Sequence, residues 1–69
     1  MIYSLRQHQF FYNTISTKEL ANSILEKVKN TPIENNHIIV NYSDESMCIF
    51  KVIEKTNNKI ILEFISTAS

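Results

Sequence analysis

At 69 residues the chain has room for one small domain, residues 1–69, and a core near the lower size limit for independent folding. The complete absence of glycine excludes phosphate-cradling loops, dinucleotide fingerprints and nucleophile elbows, which all need a backbone free to turn sharply or approach a ligand closely. Seven basic residues balance seven acidic ones, so neither the basic excess of a typical nucleic-acid binder nor the acidic excess of a DNA mimic is present.

Apolar content of 43% with 20% charged residues fits a folded chain rather than a disordered one. The single cysteine rules out an internal disulfide, which leaves self-association as the most accessible aid to stability. No apolar run approaches the roughly 18 to 20 residues that span a bilayer, and Arg6 and His8 interrupt any apolar stretch near the start. A cytoplasmic chain without signal peptide or membrane contact is expected. Isoleucine occurs 11 times and asparagine 8 times, against 4 for glycine, alanine, arginine and proline together. This bias matches AT-rich codons and suggests a phage, a mobile element or a low-GC bacterium.

Along the chain, Gln9 to Thr14 contains Phe10, Phe11 and Tyr12 and reads as a strand. A helix follows Ile15. Ser16-Thr17-Lys18-Glu19 has the form of a capping box, with Ile15 and Leu20 placed as its hydrophobic staple. Leu20, Ala21, Ile24, Leu25 and Val28 form an apolar stripe at helical spacing, and Asn30-Thr31-Pro32 ends it. Three strands are then expected, His37 to Tyr42, Met47 to Lys55 and Lys59 to Ser66, rich in Ile, Val, Phe and Tyr. Asn57-Asn58 is read as a tight hairpin turn, since asparagine tolerates the left-handed conformation. The expected fold class is α+β: β-α-β-β-β, one helix packed on an antiparallel sheet.

Short loops fix the expected register. A four-residue loop at 43–46 sets Tyr42 opposite Met47, and a turn at Asn57-Asn58 sets Ile53 opposite Leu62. One face then gathers Ile38, Val40, Tyr42, Met47, Ile49, Ile53, Ile60, Leu62 and Phe64 and meets the helix. The other carries His37, Asn41, Glu54 and Glu63 together with Ile39, Cys48, Phe50, Val52, Ile61 and Ile65. An uncovered apolar set of that size marks an interface. Either the N-terminal segment (Ile2, Tyr3, Leu5) folds back over it, or a protein partner or a second copy does. Ile39, Phe50, Val52, Ile61 and Ile65 are therefore the candidate protein-interface residues, with Phe50 at their centre.

No catalytic, cofactor or metal site is expected. His37 and Cys48 share the second face in this reading but lie about 13 Å apart, too far for one metal ion. Cys48 sits among Met47 and Ile49 as an apolar filler without a base, and Glu54 and Glu63 act as solubilising charges. Nucleic-acid binding has some support from Arg6 among Tyr3, Phe10, Phe11 and Tyr12, and from Lys51, Lys55 and Lys59, but the footprint is sparse. The function expected is therefore non-enzymatic protein binding. A homodimer is one form of it, and a phage or mobile-element inhibitor that occupies a host protein's surface is another. A small nucleic-acid-binding regulator and a structural subunit of a larger assembly are the alternatives.

Overall fold

A computed structural model describes residues 2–68. The chain forms the expected α+β fold, with two helices and a four-stranded mixed sheet: β1 (Ile2–Arg6), α1 (His8–Thr14), α2 (Lys18–Val28), β2 (His37–Asn41), β3 (Met47–Lys55) and β4 (Lys59–Ala68). Strand order is β1-β4-β3-β2, with β1 parallel to β4 and the other neighbours antiparallel.

The strand expected at Gln9 to Thr14 is instead the short helix α1. Gln7 takes a left-handed conformation (φ 54, ψ 40) and turns the chain out of β1 into this helix. Helical spacing puts Phe11 and Ile15 four residues apart and buries both, while Thr14 Oγ1 donates to the Phe10 carbonyl at 2.8 Å. Burial of one aromatic ring among two others here outweighs the intrinsic strand preference of the Phe10-Phe11-Tyr12 run. Phe11 packs 5.6 Å from Phe50 and 5.1 Å from Phe64, ring centroid to centroid.

Helix α2 begins one residue later than its capping box suggests. Thr17, not Ser16, is the N-cap: its backbone is extended (φ −136, ψ 154) and its Oγ1 accepts from the Leu20 amide at 3.1 Å. Ala21, Ile24 and Val28 are buried on its inner face. At the far end Thr31 Oγ1 donates to the Lys27 carbonyl at 2.6 Å, satisfying one of the carbonyls that a helix terminus leaves open.

Both helices cover the same sheet face. The buried residues Phe11, Ile24, Val28, Ile38, Val40, Cys48, Phe50, Ile60, Leu62 and Phe64 form one cluster, with Tyr3 and Leu5 packed against it. The N-terminal segment thus does not fold over the second face. It extends the sheet as an edge strand, setting Tyr3 beside Ile60 and Leu5 beside Leu62 on the helix side.

Candidate functional site

The uncovered sheet face differs from its expected composition along β3. The loop after β2 holds five residues rather than four, closed by the Tyr42 amide donating to the Ser46 carbonyl at 3.1 Å. Asn41 therefore pairs with Met47 and Val40 with Cys48, one residue away from the expected register. A slip of one exchanges the faces of a strand. Cys48 and Phe50 turn toward the helices and are fully buried. Val52, paired with Leu62, packs against the same core. Phe50 and Val52, expected at the interface, therefore belong to the helix side, and Met47, Ile49 and Ile53 leave it.

Strand β4 keeps its expected faces because two irregularities absorb the slip. The β3–β4 register shifts between Ile49 and Phe50 and again between Val52 and Glu54. One extra residue, Ile65, lies on β4 at the first shift, and Ile53 is the extra residue on β3 at the second. Between these bulges Phe50 pairs with Phe64 and Val52 with Leu62; outside them, at Ile49↔Ser66 and Lys55↔Ile60, the pairing is the expected one.

Of the candidate interface residues, Ile39, Ile61 and Ile65 remain on the outer face. Ile49 and Met47 join them, as does Ile53 at its bulge. Exposure is 46% at Ile39, 42% at Ile65 and 39% at Ile53, with Ile2 at 65% on the neighbouring edge strand. The buried residues of both helices cluster on the opposite face, while Thr31, Pro32 and Glu34 of the α2–β2 loop line a small pocket with His37 and Ile39 at the β2 edge. Hydrophobicity alone, without register, would have found the patch but not its members.

A charged row crosses the isoleucines. Arg6 pairs with Glu63, Glu63 with Lys51 and Lys51 with His37, so one line runs across all four strands in the order β1, β4, β3, β2. The His37 ring is fixed at its end, with Nδ1 2.7 Å from the Asn35 carbonyl oxygen. Lys51 and Arg6 thus flank a carboxylate instead of forming a continuous basic stripe. Of the aromatics considered for base stacking, Phe11 is buried and Tyr3 and Tyr12 pack against the core, whereas Phe10 is half exposed.

The remaining chemistry is dispersed. His37 and Glu63 lie on the outer face with Lys51 between them, while Cys48 lies on the inner face. Among the described residues no group of three His, Cys, Asp or Glu side chains comes together. Burial pushes the Cys48 thiol up to about 11, away from the thiolate that nucleophilic chemistry requires. A groove of about 460 Å³ runs beside the β1 edge, lined by Tyr3, Leu5, Leu25, Val28 and Leu62 with Asn22 and Lys29 among its polar residues. No helix of the described residues is long and apolar enough to cross a membrane. No family model, curated protein or solved structure matches the chain.

Proposed function

We propose that this chain is a small protein-binding module that acts through its outer sheet face. The observation that carries the reading is the cluster Ile39, Ile49, Ile53, Ile61 and Ile65 on a face that neither helix covers. A solvated antiparallel face ordinarily alternates to polar residues. Water contact at this many branched apolar side chains has a free-energy cost that a partner's surface removes, at about 25 cal/mol per Å² of apolar area covered. A chain of this size working through one such surface would act by occupying its partner, as an inhibitor or a small structural subunit does. Nucleic-acid recognition is less well supported, because Arg6 and Lys51 flank Glu63 and the formal net charge is zero.

One observation favours a second surface. Strand β1 is a sheet edge beside the apolar groove that Leu25 and Val28 of α2 help to line, an arrangement suited to an added strand whose alternate side chains enter the groove.

The test uses Ile65→Lys and Ile49→Lys, each checked by circular dichroism for an intact fold. Both should lose the associations of the wild-type chain, measured by light scattering and by capture from an extract of the source cells. Retention of every wild-type association by both variants would overturn the proposal.

A further inference from the structure

The charged row has a symmetry that bears on what covers the isoleucine face. Its order across the sheet is Arg6, Glu63, Lys51, His37, with the carboxylate and the ammonium on the two central strands β4 and β3. We propose that this face is buried against the same face of a second copy of the chain, the two related by a twofold axis running along the strands between β3 and β4. The inference rests on the reading of this face as a protein-binding surface and names its occupant.

Rotation about that axis exchanges the two central strands of the facing sheet. Glu63 of each copy then lies over Lys51 of the other, and Arg6 lies over His37. The rows on either side follow the same operation. Ile65, the bulge residue next to Ser66, comes close to Ile49 of the second copy, and Ile61 lies over Glu54 with the bulge residue Ile53 beside it. At the two central strands acid therefore meets base, and beside them Ile65 meets Ile49, with one symmetry element relating the two copies, as an isologous interface requires. The alternative in-plane axis, perpendicular to the strands, stacks Glu63 on Glu63 and Lys51 on Lys51, and is disfavoured by like-charge contact. Two sheets packed with their strands roughly aligned, about 10 Å apart, are a standard solution for burying such faces.

The area such a dimer needs is a modest share of the surface. A stable interface takes about 800 Å² from each partner. That is roughly one sixth of this chain's 4746 Å² surface, and the sheet supplies one of the two broad faces of a two-layer fold. Glu63 and Lys51 are not fully enclosed within one copy, so their pairing across the axis does not start from an interior ion pair.

Charge reversal distinguishes this arrangement from any effect within a single copy. In Lys51→Glu both central positions are acidic, and in Glu63→Lys both are basic, so each variant repels its own kind across the axis. Mixed in equal amounts, they form a heterodimer in which every central acid faces a base, although each protomer still holds its like-charged neighbours. Light scattering over a concentration range should give twice 8.1 kDa for the wild type and for the mixture, and 8.1 kDa for each variant alone. A wild type that stays at 8.1 kDa into the millimolar range overturns the proposal. So does a mixture that stays monomeric, or single variants that dimerise as the wild type does. Where a reversed charge unfolds the chain, Ile65→Lys, at a half-exposed bulge, replaces it: a monomer supports the interface and an unchanged dimer overturns it. A monomeric wild type that captures a different protein, lost in Ile65→Lys, would refute the twofold dimer while leaving the face a binding surface.

Discussion

The rings of Phe11 and Phe50 meet 5.6 Å apart at 56°, and neither side chain reaches solvent. With Phe64, 5.6 Å from Phe50 and 5.1 Å from Phe11, they form a triangle that joins α1 to the two central strands. Each tilted contact adds roughly 0.5–1.5 kcal/mol beyond the area it buries. Truncating Phe50 to alanine should cost about 3–5 kcal/mol, comparable to the entire stability of a domain of this size. Phe50→Glu should therefore unfold the chain rather than merely dissociate it. Ile39→Lys, on the open face, should shift stability by no more than about 0.5 kcal/mol. Urea titrations followed by circular dichroism compare the three. A folded Phe50→Glu would place this residue outside the core.

How far the faces can be read from sequence depends on the strand. On β2 the polar His37 and Asn41 share the parity opposite Ile38 and Val40, and on β4 Lys59 and Glu63 share the parity opposite Ile60, Leu62 and Phe64, so the inward face is legible. β3 has no such contrast: Met47, Cys48, Ile49, Phe50, Val52 and Ile53 are apolar at both parities, and only pairing decides between them. That pairing turns on one extra loop residue at Tyr42 and on bulges at Ile53 and Ile65, none of which has a local signature without glycine. The interface candidates divide accordingly. Ile39, Ile61 and Ile65 lie on strands whose parity is legible, and Phe50 and Val52 on the strand where it is not. α1 is hidden for a related reason, since its helical form depends on Phe11 meeting the rings of Phe50 and Phe64, both far along the chain.

Two overlapping cap signals precede α2, and the hydrogen bond selects the second. Thr17→Ala removes the acceptor for the Leu20 amide and should destabilise the chain by about 1 kcal/mol. Ser16→Ala should change stability by less than about 0.5 kcal/mol, as ordinary surface substitutions do. Thermal or urea melts of the two variants check the assignment. Equal losses would return Ser16 to a share of the cap.

Asparagine pairs occur at two turns with different backbones. Asn35 and Asn36 both take positive φ, 53 and 61, closing a two-residue turn in which Glu34 and His37 exchange backbone hydrogen bonds at 2.9 Å. Positive φ at both central positions is the primed hairpin geometry. Asn57 and Asn58 also form a two-residue connection, with the Thr56 amide donating to the Lys59 carbonyl at 2.8 Å, but neither has positive φ. Glycine should therefore act with opposite sign at the two sites. Asn36→Gly relieves a left-handed Cβ and should stabilise by a few tenths to about 1 kcal/mol. Asn58→Gly only loosens the unfolded chain and should destabilise by roughly 0.5–1 kcal/mol. Urea midpoints decide it, and a shared sign at both turns would contradict the backbone geometry.

Cys48 provides a pH-dependent prediction. Burial raises its thiol from an ordinary value of 9.0 to about 11. Between those values the unfolded chain gives up the proton while the folded chain keeps it, so the unfolded state binds fewer protons and stability falls as pH rises. The contribution is fully present below about pH 9 and is lost as pH climbs toward 11. Cys48→Ala should remove this part of the alkaline slope. At neutral pH the native thiol should resist a thiol-specific reagent and react promptly once urea unfolds the chain. Rapid native labelling, or an alkaline slope unchanged by Cys48→Ala, would show that Cys48 lies outside the core that Phe11 and Phe50 define.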